Sequence, residues 1–402
     1  MHYTKPNILH YRIAQAASLL VSAVIFRKKQ LRNEIKGVHG PFVVIANHGA
    51  ALDFVNLIGA ASRPMSFVIS NSFYSTLPIK GFLDKMGVLP KQQFQTTADD
   101  LKRMKAVIQN GQPLVIYPAG LMCEDGLSTP IPVATYKFLK WLDADVYVAR
   151  SQGSYFVMPK WSKGMRRGKT TMDIYRLFTR EELAAASLET VKEKTDEAIV
   201  FDSYREQEQL QIPYRKGDDL SGLEHVLYQC PHCGEEYAMA AEGSRLYCRS
   251  CGTAHTADTM GFLHKAEGPG EEIRYVSDWS HRIFDTLKAQ YRQGTAAPMT
   301  AETSIHMVDP EKNKFLEAGS GTVTLDGDKF LLEGTLKGEP FCLSVSVAGV
   351  PTLPFSPGKY FELQHGKTIY RCVLKDGRPV MKFINTVKLQ FQLSQEQRTA
   401  KV

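Results

Sequence analysis

The chain has 402 residues, of which 43% are hydrophobic and 23% charged. That length allows two or three domains with separate cores, and the composition excludes a disordered or fibrous chain. The net charge of +7 is moderate and partly local, since Arg27 to Lys36 holds five basic residues against one acid. Just before it, Ile13 to Phe26 is a run of fourteen largely apolar residues, short of the ~20 that cross a bilayer as a helix. Its basic residues follow the apolar run, and the small-residue cleavage pattern of a signal peptide is missing. Two readings stand for residues 1–36. One is an interfacial helix that buries Leu19, Leu20, Val21, Ile25 and Phe26 in a membrane surface while the basic run meets anionic headgroups. The other is a helix that caps a folded core. The adjoining basic run favours the membrane surface.

Pro41-Phe-Val-Val-Ile-Ala46 has the length and composition of a buried parallel strand, and Leu52 to Ala61 has helical spacing. Asn47-His-Gly-Ala-Ala-Leu-Asp53 therefore spans a strand-to-helix passage at the carboxyl edge of an open α/β sheet, where such sheets bind ligands. If the chain turns back, Asp53 can accept one ring N–H of His48 and leave the other nitrogen to take a proton. The plain alternative is a surface histidine near a helix-capping aspartate. Further on, Leu77 to Pro90 reads as a short helix leading into a strand. Thr97 to Asn110 reads as a helix capped by Thr97 and Asp100 and ended by Gly111. Pro113 to Gly120 is a second buried strand with a Pro-Ala-Gly turn, and Leu142 to Arg150 is a third helix-to-strand passage. Thr179 to Glu206 reads as a solvated helical stretch that closes the domain.

In this order the region 5–210 resembles the glycerolipid acyltransferase family that includes lysophosphatidic acid acyltransferases. The family's Asn-His-x4-Asp block falls on Asn47, His48 and Asp53. Its Pro-x-x-Gly helix and following Gly fall on Pro78, Gly81 and Gly87, with Lys91 close to the basic position. Its Phe-Pro-Glu-Gly-Thr-Arg block falls on Tyr117-Pro-Ala-Gly-Leu-Met122, and its last block on roughly Lys137 to Ala149. The resemblance implies that His48 is the general base, that Asp53 orients it, and that Lys91, Tyr117, Pro118, Ala119 and Gly120 contact substrate. It also implies an acyl thioester donor, acyl-CoA or acyl-carrier protein, and a lyso-lipid acceptor. Ala119 and Met122 stand where the family has the glutamate and an arginine associated with the acceptor phosphate. A methionine cannot supply a guanidinium fork, which leaves Lys91, with Lys80, Lys85 or Arg150, as phosphate partners. The Pro118-Ala119-Gly120 turn is the candidate source of oxyanion donors.

Cys230-Pro-His-Cys233 and Cys248-Arg-Ser-Cys251 are separated by fourteen residues, the spacing of a tetrahedral four-cysteine zinc site. Four thiolates close the coordination sphere, so such a zinc is structural. Disulfides are the alternative, and three further isolated cysteines, Cys123, Cys342 and Cys372, fit a reducing compartment better. Arg245, Arg249, His255 and Lys265 are offset by Glu235, Glu236, Glu242 and Asp258. No basic face forms, so nucleic acid is not an expected partner. Asp278 to Lys288 reads as an amphipathic helix. The remainder alternates as short strands, including an Asp-Gly hairpin in 321–334, before a closing helix from Val380 to Leu393.

The expected fold class is an α/β acyltransferase domain (37–212) behind the interfacial segment. A zinc ribbon (225–265), a helix and linker (270–296) and a small β-rich, barrel-like, pleckstrin-homology-like domain (315–398) follow. The expected function is O-acyl transfer to a lyso-phospholipid or related glycerolipid at the cytoplasmic face of a membrane, without a transmembrane span. A catalytically inactive lipid- or partner-binding scaffold of the same fold is the alternative.

Overall fold

A computed structural model describes residues 4–94 and 96–399. Residues 1–3 of the expected interfacial segment lie outside that range. The chain divides into two compact units, one of 1–160 and 164–217, the other of 161–163 and 218–402.

The first unit opens with α1 (Ile8–Val24), β1 (Lys29–Asn33), β2 (Phe42–Ala46), α2 (Asp53–Ala60), β3 (Ser66–Ser70), α3 (Asn71–Ser75) and α4 (Lys80–Lys85). It continues with β4 (Leu89–Lys91), α5 (Ala98–Gln109), β5 (Leu114–Ile116), α6 (Val133–Leu142), β6 (Asp145–Gln152), α7 (Ser154–Val157) and β7 (Thr171–Phe178). The strands form one sheet in the order β1-β7-β6-β2-β5-β3-β4. The pairs among β6, β2, β5, β3 and β4 are all parallel, and β7 runs antiparallel to β6. Alternate residues of the central strands feed two cores. Val43, Ile45, Leu114 and Ile116 meet Met104, Val107 and Leu139 on one face. Phe42, Val44 and Val115 meet Leu57, Ile58 and Tyr11 on the other. A sheet covered on both faces is why β2 is apolar throughout.

The expected capping box of α5 is present, with Thr97 Oγ1 accepting from Asp100 N and Asp100 accepting from Thr97 N. The stretch 179–206 forms three helices, α8 (Arg180–Ala185), α9 (Leu188–Ile199) and α10 (Ser203–Leu210), because Ser187 and Asp202 cap new starts.

Helix α1 has its polar face inward. Tyr11, Gln15, Ser18 and Ser22 are buried, whereas Ile8, Leu9, Ile13, Leu20 and Val24 are exposed. Gln15 Nε2 donates to Ala61 O and Ile58 O, satisfying carbonyls at the carboxyl end of α2. Phe26 departs from the sequence expectation: it is fully buried, since the chain there turns toward Thr170, whose hydroxyl donates to Phe26 O. The basic run is divided as well. It supplies β1, and Arg32 pairs with Asp173 while Lys28 Nζ donates to Asn56 O. Arg27, Lys29 and Lys36 remain exposed.

The second unit holds a four-stranded antiparallel sheet of β8 (Met239–Glu242), β9 (Arg245–Cys248), β10 (Ala254–Ala257) and β11 (Leu263–Glu267), then α11 (Val276–Arg292). Trp279 of α11 is fully buried and donates its Nε1–H to Gln229 O at 3.0 Å. Seven strands follow: β12 (Met299–Asp309), β13 (Lys314–Asp326), β14 (Lys329–Leu336), β15 (Glu339–Ser346), β16 (Phe355–Ser356), β17 (Tyr360–His365) and β18 (Thr368–Leu374). They form an antiparallel sheet in the order β15-β14-β13-β12-β18-β17-β16, and α12 (Val380–Thr399) ends the chain. Strand β12 was not legible as a strand, because its Met-Thr-Ala-Glu start is polar. Among the described residues no pairing joins β15 to β16, so the sheet is an open ladder rather than a closed barrel.

Candidate functional site

Strand β2 delivers Asn47 and His48 to the carboxyl edge of the sheet. Asn47 extends the ladder with its side chain: Nδ2 donates to Ser151 O and Oδ1 accepts from Ser151 N, both at 2.7 Å. That double bond to β6 fixes where the following histidine emerges. Gly49 then passes so close to α7 that a Cβ would lie 2.9 Å from Ser154 Oγ and 3.2 Å from Tyr155 N. Gly49→Val is therefore expected to cost about 1–3 kcal/mol by overpacking. Gly81→Ala, with open space around it, is expected to leave stability unchanged or slightly improved. Denaturant unfolding of both variants checks the contrast.

Asp53 opens α2 and is 2% exposed. Its Oδ2 accepts from Ala50 N at 2.8 Å and lies 3.3 Å from His48 Nδ1. One carboxylate thus closes the turn and holds the imidazole, and its charge suits the first turn of a helix. The sequence left open whether Asp53 caps a helix or meets His48. It meets His48 and closes the preceding turn through Ala50 N, but as the first residue of α2 it makes no side-chain cap to the helix. The bond to Nδ1 selects the tautomer protonated there and leaves Nε2 as an acceptor. The His48 side chain is one-fifth exposed, so the imidazole is partly open to solvent.

From β5, the Tyr117 ring packs against His48 with centroids 4.5 Å apart and planes at 38°. Burial, with the Asp53 carboxylate adding to it, pushes the Tyr117 hydroxyl pKa well up. The Pro118-Ala119-Gly120 turn is less rich in donors than its sequence suggested. Pro118 has no N–H, and Gly120 N already donates to Tyr117 O at 2.9 Å. Ala119 N–H is the remaining amide of that turn. Cys123 follows, its N–H donating to His48 O at 3.4 Å.

Lys91 ends β4, on the far side of β5 and β3 from His48. Its Nζ donates to Gln92 O at 3.0 Å, and burial lowers its pKa. Arg150, a candidate phosphate partner by sequence, is committed elsewhere: it pairs with Glu206 and donates to Ala198 O and Val200 O. Lys80 lies 6.0 Å over the Tyr74 ring, and Lys85 is exposed. Two side chains that the sequence reading missed, Ser70 and Gln93, link the strand ends to Gly120. Ser70 Oγ donates to Gln93 Oε1 at 3.2 Å, and Gln93 Nε2 donates to Gly120 O at 2.7 Å. Nothing in the local pattern around Ser70 or Gln93 marks this, because the link exists only once β3, β4 and β5 are adjacent.

In the second unit, Cys230, Cys233, Cys248 and Cys251 bring their sulfurs within 4.8 Å of one another. Cys230 Sγ lies 3.6 Å from Cys251 Sγ, and Cys233 Sγ lies 3.8 Å from Cys248 Sγ. A disulfide needs about 2.05 Å, so these are free thiols. Four sulfurs at ~2.3 Å from a tetrahedral Zn²⁺ would lie roughly 3.8 Å apart, so the donor set fits that ion. Each knuckle is closed by a glycine at positive φ, with Gly234 N donating to Cys230 O and Gly252 N to Cys248 O.

Residues 24–172 match the family model named Acyltransferase. Among solved structures, the chain is similar to the 1-acyl-sn-glycerophosphate (LPA) acyltransferase PlsC of Thermotoga maritima. That match has 14% identity and a TM-score of 0.39, over 47% of this chain and 75% of that one. It is also similar to the Ran-binding domain of the nuclear complex component Nup2 of Ashbya gossypii. There the identity is 17% and the TM-score 0.19, over 23% of this chain and 91% of that one. No sequence among the curated proteins matches this chain.

Proposed function

We propose, from the match of residues 24–172 to the family model named Acyltransferase, that this protein is an O-acyltransferase acting at a membrane surface. It moves a fatty acyl group from an acyl thioester, acyl-CoA or acyl-carrier protein, to a hydroxyl of a lyso-phospholipid or related glycerolipid. The observation that supports this best is the His48–Asp53 pair at the carboxyl edge of the sheet. His48 Nε2 takes the acceptor's O–H proton as the oxygen attacks the thioester carbonyl. Asp53 steadies the imidazolium through Nδ1–H, and Ala119 N–H is the turn's available donor to the oxyanion. The tetrahedral intermediate collapses, the C–S bond breaks, and His48 returns its proton to the thiolate. Purified protein, an acyl thioester and a lyso-lipid should yield acylated lipid and one free thiol per ester formed. Absence of both products would leave the inactive-scaffold reading in its place.

The outward stripe of α1 supports the membrane contact. Leu9 is 67% and Leu20 66% exposed, and the exposed Arg27, Lys29 and Lys36 follow. An apolar stripe followed by cations suits an anionic bilayer surface. Among the described residues no helix is long and apolar enough to cross a membrane. The buried face of α1 is part of the fold, so substitution is a better test than deletion. Leu9→Asp with Leu20→Asp should weaken binding to anionic vesicles on the order of 100-fold, and high salt should weaken wild-type binding. Undiminished binding by the double variant would assign the contact elsewhere. The four-cysteine cluster holds a structural zinc in this reading. The strand series closed by α12 is assigned a pleckstrin-homology-like arrangement from its element order.

A further inference from the structure

Behind the His48–Asp53 pair lie buried polar atoms that the proton transfer does not use. Asp53 Oδ2 serves both Ala50 N and His48 Nδ1, but its Oδ1 is buried and meets no donor among the described residues. Asn56, one turn further along α2, is fully buried, and neither its Nδ2 nor its Oδ1 has a partner among them. Ser151 Oγ and Ser22 Oγ are in the same condition. An amide or hydroxyl held away from water without a hydrogen bond is costly, and buried polar groups are rarely left so.

These four residues share one side of the sheet. Side chains three apart on a helix lie on one face, and their Cα–Cβ bonds tilt toward its N-terminus, so Asn56 leans back toward Asp53. Along β6 the side chains alternate, and Tyr147 and Ala149 enter the core that holds Leu57 and Ile58 of α2. Ser151, two residues on, faces the same way at the carboxyl end of the strand, where its backbone is tied to Asn47. Ser22 is on the inward face of α1, which packs along α2. Its carbonyl accepts from Lys28 N, and Lys28 Nζ reaches Asn56 O at 3.0 Å, which ties Ser22 to the turn of α2 that carries Asn56. A buried water needs about two to four polar partners, and this cluster supplies them.

We infer that Asn56 is a positioning residue: its Nδ2–H donates to one buried water, also bonded to Ser151 Oγ, and that water donates to Asp53 Oδ1. With Oδ1 held, Oδ2 stays aimed at His48 Nδ1. Without it the carboxylate can turn about its Cβ–Cγ bond, and the Nδ1–H tautomer loses the acceptor that selects it. The role rests on the acyl-transfer reading above.

The test uses the full chain labelled with nitrogen-15 at histidine, the His48 ring signals being assigned by their loss in His48→Ala. Asn56→Leu keeps the bulk and removes the amide, and it should move the neutral His48 ring from Nδ1–H toward Nε2–H. With palmitoyl-CoA and monopalmitoyl lysophosphatidate, kcat should fall at least about tenfold, the loss of one charge-assisted contact. KM should stay unchanged, because Asn56 is fully buried and does not touch substrate. Asn56→Ser keeps a donor and should hold the wild-type tautomer, with kcat within about threefold of wild type. If Leu overpacks the site and the variant does not fold, Asn56→Val, smaller and equally apolar, takes its place. A wild-type tautomer or a wild-type kcat in the apolar variant would overturn the inference. If the wild-type protein turns nothing over, the acyl-transfer reading fails and the tautomer alone decides. Displacement then supports the positioning role, and the wild-type tautomer overturns it.

Discussion

Replacing His48 with Ala is expected to lower acyl transfer by about 10²–10⁴ while leaving the melting temperature nearly unchanged. The side chain lies at the edge, one-fifth exposed, and its removal opens no core cavity. The contacts that shape the turn come from Asn47, Ala50 and Asp53 and survive the change. Asp53→Asn is expected to be severely impaired too. The amide can still accept from Ala50 N, yet it loses the charge that steadies an imidazolium and can present N–H to Nδ1, favouring the wrong tautomer. Initial rates on folded variants check both effects, with circular dichroism melts as the control. A His48→Ala rate equal to wild type would remove the proposed mechanism.

Cys230→Ser is expected to abolish stoichiometric zinc and unfold the segment from about 225 to 265. Structural zinc in small modules contributes about 10–16 kcal/mol of apparent binding free energy, far more than so small a sheet gains by burial. The loss should spread to α11, because Trp279 is packed against His255 and donates to Gln229 O next to the first knuckle. A change in tryptophan emission on chelation, absent from Trp279→Phe, reports that coupling. Elemental analysis without a tetrahedral metal, or an unchanged melt of Cys230→Ser, would contradict it. Any loss of activity should track loss of folding, since four thiolates leave the ion no vacancy.

The parts of the fold legible in the sequence were those encoded locally. The β2 run, the loop from Asn47 to Asp53, the Thr97–Asp100 cap and the paired cysteine knuckles each depend on residues a few positions apart. Hydropathy gave α1 as an apolar helix but could not say which face turns inward. That face is chosen by the carbonyls at the end of α2, which need the Gln15 amide. For the same reason the basic run looked uniform, although Arg32 and Lys28 find partners in β7 and α2. The Ser70–Gln93–Gly120 chain and the commitment of Arg150 to Glu206 depend on strand order, which no short motif encodes. The turn 118–120 illustrates the limit within a motif. Its residues were visible, but the engagement of Gly120 N with Tyr117 O was not.

The central claim is that His48, held by Asp53, is the base that activates the acceptor hydroxyl. Its most direct test is chemical rescue of His48→Ala by free imidazole, read as acceptor-dependent release of thiol from an acyl thioester. The account predicts negligible release by the variant alone and recovery that rises with imidazole concentration and saturates. Wild-type release by His48→Ala without imidazole would contradict it.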